Sequence, residues 1–191
     1  LTIKPLDIFD RTRRVSEVHF KNVPISGFLG REGQGWKLLT LLQDMACIAL
    51  SADSLGGAQQ ALHMAVEYTK VREQFNSPIA SFQALKHMAA EMASEIEMCK
   101  EFNYSITKRL DQGLYVVKEA SMSKLLSTKI ADEVIYKCLQ LLGGYGYMED
   151  YPLARMFRDS RLGPIGGGTS EILKEIIAKM IIDNKTYKPA T

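Results

Sequence analysis

The chain has 191 residues, with 24 Lys and Arg against 22 Asp and Glu for a formal charge of +2. That length supports one proper core with a small appendage. The two signs of charge are interspersed, which gives no reason to expect nucleic acid or an anionic membrane as a partner, and the basic run Asp10–Arg14 reads as a solvated turn.

No export signal and no apolar run near 20 residues is evident, so the chain reads as soluble. Cys47, Cys99 and Cys138 are odd in number, far apart and without a C-x-x-C pair. They are expected to be buried reduced thiols, which favours the cytoplasm. His19, His63 and His87 share no ligand spacing, and no metal site is expected. Leu1 opens the chain in what reads as mid-strand sequence, which suggests a piece of something longer.

In chain order, "LTIK" reads as a short strand. "RRVSEVHFKNVPI" alternates Val18 and Phe20 against His19 and Lys21, the period of a half-buried strand, closed by Val23-Pro24. From Gly33 the pattern turns helical. A first helix spans Trp36 to about Arg72, with Gly56-Gly57 inside it suggesting close helix–helix contact or a break, and Asn76–Pro78 stopping it.

A second helix, about Phe82 to Leu110, carries Leu85, Met88, Met92, Ile96, Cys99, Phe102, Ile106 and Leu110 as one apolar stripe. A third, about Val117 to Leu142, ends at Gly143-Gly144. After a turn-rich stretch a short helical piece holds Met156 and Phe157. A last helix runs from about Ser170 to Ile182, with Ile172, Ile176, Ile177, Met180 and Ile181 apolar. Long helices joined by short polar turns describe an all-α, up-and-down four-helix bundle, here preceded by a short β-strand remnant.

Four polar stretches stand out. "YTKVREQF" gathers Arg72, Gln74 and Phe75, with Gln83 at the next helix start. An arginine in a last turn usually serves the helix dipole. "QLLGGYGYMEDYP" places Gln140, Gly143 and Gly144 at a helix end, where paired glycines ordinarily form a C-cap. "RDSR", residues 158–161, is most simply a surface ion pair. "GPIGGGTSEIL" sets Gly166, Gly167 and Gly168 before Thr169, Ser170 and Glu171, which suit a helix cap and its dipole. No nucleophile–base set is visible, and the glycine run lacks the lysine of a P-loop.

In this order, with "VHFKNVPI" and "GREGQGW" before them and "PIASFQA" between, these stretches resemble the C-terminal half of flavin-dependent acyl-CoA dehydrogenases. The resemblance runs from about Val18 to Ile182. It implies that residues 1–27 are the end of a middle β-domain and that residues 28–191 are a helical bundle domain, itself the core of a homodimer or homotetramer. It implies FAD as cofactor, acyl-CoA as substrate and an electron-transferring flavoprotein as partner. Arg72 and Phe75 would reach the FAD of a neighbouring subunit, with Gln74 beside them. Gln83 matches the glutamine after that turn, and Gln140, Gly143 and Gly144 match the contact with the adenosine end. Thr169 and Glu171 would approach the chain's own FAD. Asn76 departs from the usual glycine after the phenylalanine.

The reaction implied is α,β-dehydrogenation, in which a carboxylate of raised pKa takes the α-proton and the β-hydrogen leaves as hydride to the flavin. The resemblance places that glutamate at Gly167, after an aromatic at Gly166, or alternatively on the first helix at Ala46, before an arginine at Cys47. None of the family's residue types stands at these four positions, so the catalytic base is not identified. Asp44 lies about 200° around the helix from Ala46, and Asp53 shares its face about 10 Å along the axis. The leading reading is an FAD-dependent oxidoreductase acting on acyl-CoA. The alternatives are a non-catalytic subunit that supplies FAD contacts and packing to an active partner, and a helical interaction module without flavin.

Overall fold

The structure is a computed structural model that describes residues 1–185; the last six residues of the expected bundle domain lie outside it. Strands β1 (Thr2–Pro5) and β2 (Ser16–His19) pair antiparallel with Ile3 opposite Val18. Both faces of this hairpin are exposed, with Val18 at 41% and Phe20 at 75%. The alternation therefore marks a strand as expected, but nothing among the described residues covers its apolar face.

Helix α1 (Gly35–Val71) runs unbroken through Gly56-Gly57. A Cβ at either glycine would meet nothing within 4 Å, so neither the break nor the close contact expected there occurs. The close approach to α3 (Val117–Leu142) is made by Ala58, Ala61 and Ala65, all fully buried. Small alanines allow that approach without the helix cost of glycine.

Between α1 and α2 (Gln83–Asp111) lie strands β3 (Glu73–Gln74) and β4 (Ser77–Pro78), then a 3-10 turn at Ile79–Ser81. The two-residue tip, Phe75-Asn76, has φ of 54° and 61°, the paired left-handed conformation of a type I′ hairpin. Asparagine adopts this conformation more readily than most other residues, which explains how Asn76 stands where the resemblance implies a glycine. Phenylalanine gains no such relief, so Phe75 carries strain.

The α2 stripe is buried at Met92, Ile96, Cys99 and Ile106 and partly buried at Met88, Phe102 and Leu110. Helix α4 (Gly144–Tyr147) is a single turn not expected from sequence. Gly146 within it is buried, and only glycine fits there because a Cβ would sit 2.3 Å from the Leu139 carbonyl oxygen. Helix α5 (Leu153–Ser160) and helix α6 (Ser170–Ile182) follow, and both pack on α3. In α6 the buried side chain is Leu173; Ile172 and Ile181, read as apolar-face residues, are more than half exposed.

Two cores result. The larger joins α1, α2, α3 and Leu153 of α5; the smaller joins Cys47, Ile48, Ile106, Val116, Ala120 and Leu173. The three cysteines are free and buried, as expected. One 18-residue window of α1 has a mean hydropathy of 1.3 and is 17% buried, so by length and composition alone this helix could cross a membrane. The reading of no apolar stretch near that length therefore needs correcting for α1. The rest of the helix supplies one side of the main core.

Candidate functional site

The residues singled out from sequence fall into two places on the bundle. At the C-terminal ends of α1 and α3 a cleft of about 410 Å³ is lined by Arg72, Gln74, Gln140, Gly143 and Gly144, with Tyr68 and Tyr145 as aromatic walls. Chain geometry builds it. The Arg72 N–H caps α1 by donating to the Tyr68 carbonyl, and the chain then turns out into the hairpin. Opposite, Gly143 ends α3 at φ 58° and ψ −132°, a conformation open to glycine, and donates to the Gln140 carbonyl.

The C-cap reading of Gly143 is thus right, and it leaves bare backbone facing the cleft: a Cβ at Gly143 or Gly144 would meet nothing within 4 Å. Arg72 has no carboxylate partner among the described residues. A free guanidinium beside open glycine backbone and two tyrosine rings suits a phosphate joined to a flat heterocycle. Phe75 stands outside the lining, 88% exposed at the hairpin tip, with its ring edge-on to Phe82 at 6.1 Å. Gln83, the first residue of α2, is also exposed and outside the cleft.

Thr169 and Glu171 are elsewhere. Thr169 caps α6, its hydroxyl oxygen accepting from the Ile172 N–H at 3.3 Å, and Glu171 lies in the first turn. The preceding loop is held to α3 by Lys124, whose Nζ donates to the Gly168 carbonyl at 2.7 Å. Gln140 and Lys124 are sixteen residues apart on one helix, about 24 Å along its axis. The two groups therefore cannot serve the same end of one small ligand.

Beside that loop lies a second cavity of about 420 Å³, between α1, α3, α5 and the Gly163–Gly167 turn. Gln43 donates to the Gly167 carbonyl at 3.0 Å, and a Cβ at Gly167 would come 2.8 Å from Leu50 Cδ1. Ala46 sits between Gln43 and Leu50 on the same helical face. The two positions matched to the family's alternative glutamates therefore face one another across one gap, and neither carries an acceptor. Gly167 and Gly168 have φ of 64° and 99°, so a side chain at 167 would also be strained.

The neighbouring carboxylates differ in their surroundings. Asp44 lies on the core-side column with Ile48 and Ser51, and burial pushes its carboxyl up to about 6. Asp53 lines the cavity rim, 3.4 Å from Arg13, which also pairs with Asp159. Burial raises Asp159 despite Arg13 beside it. Asp10 is buried too, but the Thr12 N–H and hydroxyl, with Arg13, outweigh that burial and lower its pKa. Lys124 is fully buried, and desolvation lowers its pKa from the ordinary lysine value.

"RDSR" forms ion pairs as read, with partners from elsewhere in the fold: Arg158 with Glu149 at 3.0 Å, and Arg161 with Asp132 at 2.9 Å. Three residues that build the site were not singled out from sequence: Lys124, Gln43 and Arg13. Nothing in the local pattern distinguishes them from surface residues, since their partners lie 44, 124 and 146 positions away. Among the described residues no cluster of His, Cys, Asp or Glu suited to a metal is found.

The family described as "Acyl-CoA dehydrogenase, C-terminal domain" matches residues 33–182. The caffeyl-CoA reductase–Etf complex subunit CarC of Acetobacterium woodii is 36% identical over 84% of this chain and 42% of its own length. The structure of butyryl-CoA dehydrogenase from Megasphaera elsdenii superposes with a TM-score of 0.89 at 32% identity, over 95% of this chain and 48% of that one. PigA with FAD and proline superposes with a TM-score of 0.77 at 31% identity, over 83% and 42%. The chain thus spans less than half the length of each. The family match over residues 33–182, together with these relatives, places the chain in the acyl-CoA dehydrogenase family, with residues 33–182 as its C-terminal domain.

Proposed function

We propose that this chain is the flavin-contacting bundle of an oxidoreductase that acts on acyl-CoA thioesters by α,β-dehydrogenation, working as a homodimer or homotetramer. FAD, when bound, supplies the hydride acceptor. Arg72, with Gln74, Gln140, Gly143 and Gly144, would hold its phosphate and adenosine end from a neighbouring copy. Phe75 and Gln83 would flank that contact, and Thr169 and Glu171 would face the chain's own cofactor. The observation that carries this reading is Arg72, without a carboxylate partner among the described residues, set against open glycine backbone in an aromatic-walled cleft. Residues 1–27 would close the β-domain and residues 28–191 form the bundle domain. An electron-transferring flavoprotein is the proposed redox partner, and the Acetobacterium relative is itself a subunit of an Etf complex. The three free buried thiols fit a reducing compartment such as the cytoplasm.

One observation favours a second reading. Ala46 and Gly167 face each other without a proton acceptor. A subunit of this kind would lend flavin contacts and packing to an active partner without itself abstracting a proton. The two readings separate in an anaerobic titration of the full-length protein with acyl-CoAs of graded chain length. Bleaching of the flavin supports the dehydrogenase; a yellow protein that acyl-CoA never bleaches supports the non-catalytic subunit; a colourless protein overturns both.

The variant Ala46→Glu sharpens the test. It introduces a carboxylate from regular helix, without the left-handed strain of position 167. A general base contributes about 10²-fold or more, so bleaching by this variant at least that much faster than wild type is expected. An unchanged rate would show that the gap between Ala46 and Gly167 is not where the α-proton sits.

A further inference from the structure

Most glycines around the second cavity are required by the backbone. Gly167 and Gly168 are left-handed, and a Cβ at Gly163 would press within 3.1 Å of Thr128 and of the Ser160 carbonyl. Two are not. Gly57 lies in the middle of α1 with ordinary helical geometry, where glycine weakens the helix, and a Cβ there would meet nothing within 4 Å. Gly166 has no left-handed φ, and its Cβ would make only ordinary contact with Leu162 at 3.4–3.5 Å. Both glycines line the same cavity of about 420 Å³, whose other walls include Leu50, Ala131, Ile135 and Met156. Among the described residues neither packing nor conformation accounts for the missing side chains; the space they leave does.

That space adjoins the gap between Ala46 and Gly167, and an apolar chamber of this size suits the body of a small molecule. We propose that Gly57 and Gly166 set acyl specificity by making room for a bulky acyl group, one with a ring or branch close to its reacting carbons. Apolar walls receive the bulky body, and the Arg13–Asp53–Asp159 cluster keeps the charged rim at the mouth. The inference rests on the acyl-CoA reading above.

The test titrates the full-length flavoprotein with cyclohexylacetyl-CoA and with butyryl-CoA and follows the shift of the flavin absorbance band, a measure of binding that needs no turnover. Wild type is expected to bind the ring-bearing ligand at least as tightly as butyryl-CoA. Gly57→Leu, which helix propensity favours, and Gly166→Leu should each move the ratio of the two affinities toward butyryl-CoA by about 10-fold. An unchanged ratio in flavin-loaded variants overturns the specificity role and leaves the acyl-CoA reading standing. Loss of flavin by both variants also overturns it, because a side chain filling empty space has no reason to expel the cofactor. A wild-type band that neither ligand shifts overturns the acyl-CoA reading together with this one.

Discussion

Asp44 illustrates how one carboxylate can be perturbed without being placed for chemistry. It sits in the column of Ile48 and Ser51, and desolvation lifts its pKa from 3.8 to about 6. The neutral form is the one favoured in the fold. Its contribution to stability is full below pH 3.8 and is lost as pH rises through about 6. Asp44→Asn should therefore raise the thermal midpoint at pH 8, by an amount matching about 1 kcal/mol once solvent access is discounted. The gain should vanish near pH 4. Paired melting curves at the two pH values check this, and an equal gain at both would remove titration as its cause. Residues 46 and 167, the proposed seats of a base, show the reverse case, since neither alanine nor glycine carries a proton acceptor in its side chain.

Between elements, polar ties as well as apolar stripes set the packing. Asn103 on α2 is 5% exposed; its Nδ2 donates to the Ile48 carbonyl of α1 at 3.2 Å, and its Oδ1 accepts from the Ser123 hydroxyl of α3 at 2.9 Å. One amide thus fixes three helices in register. Asn103→Ala should cost about 2 kcal/mol, since it leaves the buried Ser123 hydroxyl without its amide partner and removes the tie to the Ile48 carbonyl. Thermal or denaturant unfolding measures that loss, and a change below about 0.5 kcal/mol would mean water enters to replace the amide. The hairpin between α1 and α2 carries strain of the opposite kind. Phe75 is held left-handed and exposed on its tip, a conformation consistent with a ring meant to meet something beyond its own chain.

Over the whole molecule the most uneven feature is the start of α1. Trp36, Leu39, Leu42 and Met45 are 71%, 55%, 60% and 51% exposed, and Phe28 and Leu29 just before them are 80% and 90% exposed. A patch of this kind on a folded chain marks a contact surface. If homo-oligomer packing or an adjoining domain of the same protein covers it, Leu42→Glu in the full-length protein should lower the oligomer mass or the thermal midpoint. Light scattering and a melting curve report the two, and a variant unchanged in both would show this face to be free. The same exposed stretch accounts for the high hydropathy of α1, whose apolar residues here lie outside the core-facing stripe.

The order and nearly all ends of the five longer helices were legible in the sequence, α4 being the exception, because apolar residues recur every three or four positions and Gly113, Gly143 and Thr169 punctuate them. The five residues of the first cleft were legible as motifs. Their meeting was not, since Arg72 and Gln140 are brought together only by the packing of α1 on α3. That no glutamate stands at either of the two positions the resemblance points to was visible in the sequence. That the two absences face one gap, and that Gly57 and Gly166 open a chamber beside it, was settled by tertiary structure alone. Periodicity reports which side of a helix is buried; it carries no information about what lies across a space between helices.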